Sequence, residues 1–117
     1  MPYQALLDGL MRSVDGAQGA VLLDAEGEVV VESGARDFRH RLIGAYQGIA
    51  LSTAQKTLGP YAEGGIRYVL CRYAWGSVIL RPLRDGYYLI LSLRPGVAIG
   101  PGLHQSQRTQ VEMDAQL

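Results

Sequence analysis

Residues 66–93 read Ile66-Arg67-Tyr68-Val69-Leu70-Cys71-Arg72-Tyr73, then Ala74-Trp75-Gly76, then Ser77-Val78-Ile79-Leu80-Arg81-Pro82-Leu83, then Arg84-Asp85-Gly86, then Tyr87-Tyr88-Leu89-Ile90-Leu91-Ser92-Leu93. Three runs of aliphatic, β-branched and aromatic residues are separated by two turn-like links. Links this short can join only antiparallel neighbours, so the segment predicts a three-stranded meander. Within it Val69-Leu70-Cys71, Val78-Ile79-Leu80 and Leu89-Ile90-Leu91 are continuously apolar and do not alternate. A strand buried on both faces has this pattern, so helices are expected on both sides of the sheet.

Working outward, Tyr3, Leu6, Leu7, Leu10, Met11 and Val14 recur at helical spacing, with Pro2 suited to a first turn and Asp15-Gly16 to an end. Gly19 to Asp24 and Glu28 to Glu32 form two strand-like runs around the turn Asp24-Ala25-Glu26-Gly27. From Asp37, a good N-cap, to Leu58 runs the longest helical pattern, closed by Gly59-Pro60. The tail carries Pro95-Gly96 and Gly100-Pro101-Gly102 before a polar stretch, and from about residue 101 it is expected to be weakly ordered or a short helix. No repeat or linker divides the chain, which reads as one domain over residues 1–117. The fold class is α/β, of the α+β sandwich kind: an antiparallel sheet with the first helix and the tail on one face and the central helix alone on the other. One helix covers such a sheet poorly, and a second copy would complete the face.

The central helix supports that expectation. Phe38, Leu42, Ala45, Ile49 and Thr53 form one stripe, flanked by Ile43, Ala50 and Ala54 on one side and Gly44, Gly48 and Ser52 on the other. A glycine inside a helix costs about 1 kcal/mol against alanine, so two of them one turn apart suggest close backbone approach, to another helix or to the sheet. The expected dimer interface comprises Ile43, Gly44, Gly48, Ala50, Ser52 and Ala54, with Arg67, Val69 and Cys71 from the first strand of the meander.

Eleven basic and eleven acidic residues give zero formal net charge, and no field favours nucleic acid. A lone cysteine cannot form an internal disulfide, and Asp8 and Arg12 interrupt the only early apolar stretch, so no signal peptide is expected and the predicted location is cytoplasmic. No apolar run approaches the roughly 20 residues that span a bilayer. No Gly-rich loop leads into Lys-Ser or Lys-Thr to cradle phosphates, so the chain is not itself a P-loop GTPase. His40, His104 and Cys71 have neither the number nor the spacing of a zinc site. Cys71, among Val69 and Leu70, reads as a small hydrophobe rather than a nucleophile. Neither an enzymatic activity nor a cofactor is expected. Arg36, Arg39 and Arg41 gather at the start of the central helix, where cations oppose the helix dipole; the plain reading is a solvated helix end, and the mild cost is the argument for a partner-binding role shared with Gln47 and Leu51. Trp75 and the tyrosines Tyr61, Tyr68, Tyr73, Tyr87 and Tyr88 are enough aromatic surface for a binding site, although strand-borne tyrosines commonly pack one side and most of these read as structural.

Three features together resemble the roadblock, or dynein light-chain, family. They are the Leu6-Leu7-x-x-Leu10 helix, the hairpin Asp15-Gly16-x-x-Gly19-Ala20-Val21-Leu22-Leu23-Asp24-x-x-Gly27, and the turn Pro82-Leu83-x-Asp85-Gly86-Tyr87-x-Leu89 after a long second helix. The resemblance implies a profilin-like, five-stranded antiparallel sheet in the order 2-1-5-4-3, paired edge to edge through its third strands in a dimer with two central helices side by side. Family members act as dimeric platforms in dynein, in lysosomal nutrient-sensing scaffolds and in bacterial MglB-type regulators, which bind a Ras-like GTPase and stimulate hydrolysis. The function implied is a homodimeric, non-catalytic module that binds and regulates a Ras-like small GTPase. A scaffold for another protein complex is the alternative within the family. A PAS-like sensory module is the alternative outside it, opposed by continuously apolar strands that leave no polar groups converging on a cavity.

Overall fold

The computed structural model describes residues 2–34, Gly44, Gln47 and 66–117. The elements run α1 (Pro2–Ser13), β1 (Ala17–Leu23), β2 (Val29–Gly34), β3 (Val69–Tyr73), β4 (Gly76–Pro82), β5 (Tyr88–Leu93) and α2 (Ile99–Gln116). The five strands form one antiparallel sheet in the order β2-β1-β5-β4-β3, as the resemblance implied.

Local chemistry sets the joints. At the β1–β2 hairpin the Asp24 carboxylate accepts from the backbone N–H groups of Glu26 and Glu28, at 3.0 and 2.9 Å, and Gly27 takes a positive φ of 84°. At the β4–β5 link a 3-10 turn over Arg84–Gly86 places Asp85 at φ 60°, a region that aspartate tolerates because its short polar side chain bonds locally.

Alternating side chains of the central strands fill two cores, which is why their sequences do not alternate in polarity. On the first face Ala20, Leu22, Ile79, Leu89, Leu91 and Leu93 pack with Leu7, Leu10 and Val14 from α1 and its end and Met113 of α2. On the second face Val21, Leu23, Val78, Leu80, Tyr88 and Ile90 form a separate cluster. The first helix and the tail thus share one face, as expected.

The tail itself corrects the sequence reading. It is an 18-residue helix, longer than the short one expected from residue 101. Pro101 falls in its first turn, where a backbone N–H has no intrahelical acceptor to lose. Gly102, Ser106, Thr109 and Met113 make its buried stripe, and three of these four residues are not the large apolar ones that a sequence pattern registers. A Cβ on Gly102 would stand 3.0 Å from Leu93 Cδ1 and 3.2 Å from Ile79 Cδ1, so the glycine lets the helix lie close on the sheet. Polar straps hold it there. Gln110 Nε2 donates to the Pro82 carbonyl at 2.8 Å, and the Arg84 N–H donates to Asp114 at 3.0 Å.

Candidate interaction surface

The strand β3 lies at one edge of the sheet and, among the described residues, pairs only with β4. A two-residue loop, Ala74-Trp75, joins them, and Tyr73 faces Gly76 as the closing pair. Such a loop makes the closing pair a hydrogen-bonded one, and alternation then turns the N–H and C=O groups of Leu70 and Arg72 to the open side. Three large side chains along this edge are also open to solvent: Tyr68 at 44%, Leu70 at 36% and Tyr73 at 40%.

The apolar run Val69-Leu70-Cys71 therefore departs from the expectation of burial on both faces. Val69 and Cys71 are half-buried on the second face, where they stand opposite Leu80 and Val78, while Leu70 looks out from the first. Within the chain nothing described covers this strand as the neighbouring strands are covered.

At the end of β3 the second face carries an aromatic and polar cluster. The Tyr73 and Trp75 rings stack with centroids 4.8 Å apart and planes 7° from parallel. Gln47 Nε2 donates to the Tyr73 hydroxyl at 2.9 Å, while Gln47 Oε1 is buried with no hydrogen-bond partner. Gly44 and Gln47 are helical and buried, and a Cβ on Gly44 would come within 2.8 Å of Leu23 Cδ1 and 2.9 Å of Ile90 Cδ1. Gly44 and Gln47 thus lie on the second face of the sheet.

This placement corrects one expectation and decides between two readings of another. Of the two approaches left open for Gly44, to another helix or to the sheet, the glycine makes the one to the chain's own sheet, where it faces Leu23 and Ile90. Gln47, expected on an exposed partner-binding surface, is only 5% exposed and points its amide at Tyr73. Of the other residues singled out, Arg36, Arg39, Arg41, Ile43, Gly48, Ala50, Leu51, Ser52 and Ala54 lie outside the described residues. Arg67 is exposed just ahead of β3 and lines a groove against α2, on the side of Arg81.

Arg81 is the residue that sequence reading passed over. It sits in β4 opposite Leu89, on the first face, and is 5% exposed. Its Nε donates to Ser106 Oγ at 2.8 Å, its Nη2 to the Leu103 carbonyl at 2.8 Å, and its guanidinium lies 5.1 Å from the centre of the Tyr68 ring. Burial pushes its pKa down, opposed by Tyr68. The available signal was a cation interrupting the apolar run between Leu80 and Pro82. Among the described residues no group of three or more His, Cys, Asp or Glu could hold a metal, and no helix is long and apolar enough to cross a membrane.

Comparison with known proteins follows the same lines. Residues 3–92 match the model of the Roadblock/LC7 domain. Among solved structures, Myxococcus xanthus MglB superposes with a TM-score of 0.86 at 12% identity, covering 99% of this chain and 94% of that one. A structure described as MglB with tetrameric arrangement gives 0.84 at 14% identity, covering 97% and 86%. A Roadblock/LC7 domain from Streptomyces avermitilis gives 0.78 at 16% identity, covering 97% and 96%. At these identities the likeness is one of fold. No curated protein matches closely enough to count as a relative. The match over residues 3–92, with the strand order observed, makes this chain a member of the Roadblock/LC7 domain family.

Proposed function

We propose that the domain pairs with a second copy of itself through the open edge of β3 and serves as a non-catalytic platform that binds and regulates a Ras-like small GTPase. The observation that carries this reading is the β3 edge: unpaired backbone groups at Leu70 and Arg72, beside Tyr68, Leu70 and Tyr73 in solvent. An open, apolar edge strand is a template for pairing, and soluble proteins keep such an edge only when it is blunted or used. Arg67, Val69 and Cys71 then join the dimer contact, and the second face, including the orphaned Gln47 Oε1, lies where a second central helix would pack. Arg36, Arg39, Arg41 and Leu51 remain the residues proposed to bind the partner. The MglB proteins supply the client class: the fold likeness to them supports a GTPase regulator.

The test is sedimentation of the purified chain, which should show twice the 12.7 kDa chain mass, followed by titration with a GTP-loaded Ras-like GTPase. Binding and faster hydrolysis by the dimer support an activator. A dimer that leaves such GTPases untouched fits a roadblock-type scaffold with another client, and a monomer at every concentration removes the platform.

A further inference from the structure

On the opposite side of β3 from the aromatic cluster, a groove of about 450 Å³ opens between the residues entering β3, the β4–β5 turn and α2. Arg67, Arg81 and Arg84 line it, with Asp114 as the one acidic residue in its wall and Ile66, Pro82 and Leu83 as apolar sides. The three cations come from separate parts of the sheet, and one of them is built in. Arg81 is buried, yet each of its contacts is neutral: a hydroxyl, a carbonyl and an aromatic ring. Holding a guanidinium out of water without a carboxylate is costly, and straps from Nε and Nη2 account for only part of its donors.

We infer that this groove is a binding site for a phosphate dianion, supplied by a small organic phosphate or by the free ion. Arginine presents planar, bidentate donors that match phosphate oxygens, and a positively charged groove with one fixed, partly desolvated guanidinium binds such an anion with little reorganisation. The charges favour a doubly charged ligand. Three guanidinium groups against the Asp114 carboxylate leave a surplus of two positive charges, which a phosphate monoester near neutral pH, at roughly −1.5 to −2, neutralises. The apolar sides give the body of an organic phosphate a surface to lie against. The site shares Arg67 with the proposed dimer contact, so a variant at Arg67 is also sedimented, which separates lost pairing from lost phosphate binding.

The experiment titrates the full chain calorimetrically, at constant ionic strength, with phenyl phosphate, inorganic phosphate and benzoate. Phenyl phosphate should bind, benzoate should bind at least about tenfold more weakly, and binding should tighten as pH rises through the second phosphate pKa near 6, where guanidinium groups do not titrate. The double variant Arg67→Gln, Arg84→Gln changes two side chains outside the core, and equal urea midpoints confirm that it folds. It should lose roughly tenfold or more in affinity, the loss expected when one or two charge-assisted hydrogen bonds go. Tighter binding of phenyl phosphate than of inorganic phosphate assigns the site to organic phosphates, and the reverse assigns it to the free ion. No binding at millimolar concentration, an unchanged double variant, or equal affinity for benzoate, which would mark a surface for acidic protein segments, overturns the proposal.

Discussion

Gln47 Nε2 donates to the hydroxyl of Tyr73 at 2.9 Å, and this bond ties a buried residue on the second face to the edge strand β3. It joins residues 26 apart in sequence and leaves the other end of the same amide without a partner.

The asymmetry of that bond leads to the first prediction. Tyr73→Phe keeps the ring stacked on Trp75 but removes the acceptor, leaving a buried amide with neither end paired, so it should destabilise by about 1–3 kcal/mol. Gln47→Leu removes the demanding amide altogether, and the freed Tyr73 hydroxyl, on a side chain 40% exposed, can reach water. It should be close to neutral. Urea unfolding at one fixed protein concentration separates the two, and a Gln47→Leu cost equal to that of Tyr73→Phe would mean that the bond is a net contributor.

Two glycines of α2 should respond in opposite ways. At Gly100 an added Cβ meets nothing within 4 Å, and Gly100→Ala should stabilise by up to about 1 kcal/mol through helix propensity. At Gly102 the space is already occupied by Leu93 and Ile79, and Gly102→Leu should cost about 1–3 kcal/mol as the helix is forced off the sheet. Thermal unfolding of both variants checks the pair.

A third prediction concerns pH. The Ser33 hydroxyl, 2.6 Å from the Asp8 carboxylate, and then the Gln4 amide at 3.1 Å hold the Asp8 pKa below its ordinary 3.8, with a smaller contribution from Arg12 and a partial opposing effect of desolvation. A carboxyl whose folded pKa is depressed adds stability that is complete above its unfolded value and is lost as pH falls through the folded one. The pair fastens α1 to β2. Ser33→Ala should therefore lower the urea midpoint modestly near neutral pH, and the difference from the parent should shrink once pH drops below 3.8. Because Asp8 is only half-buried, added salt should weaken the Arg12 contribution and leave the Ser33 effect largely intact.

The fourth tests the open edge. Arg72→Pro removes a backbone N–H that faces away from β4, so it should weaken self-association while sparing the hairpin. Sedimentation should show a raised dimer dissociation constant, with circular dichroism unchanged. If GTPase binding needs the paired platform, it should fall in parallel; intact dimers in this variant would move the contact elsewhere.

Much of the architecture was legible in the chain because short links and continuous apolar runs have few solutions. The meander over residues 66–93 had to be antiparallel, and central strands apolar at every position had to be buried on two faces, as Leu22 and Leu23 or Ile79 and Leu80 are. What tertiary structure alone decided lies where burial does not depend on hydrophobicity. The tail helix buries Gly102, Ser106 and Thr109, which no hydropathy pattern marks as core. Gly44 meets Leu23 and Ile90 of its own sheet, where helical spacing left a partner helix equally open, and Gln47 turns inward to Tyr73, where that spacing gave it to an outer surface. Arg81 had no sequence neighbour to reveal its partners, because Ser106, Leu103 and Tyr68 reach it only when β3, β4 and α2 are assembled. Sequence periodicity records which residues avoid water on average; which neighbour each side chain meets is set by register and by how closely two backbones approach.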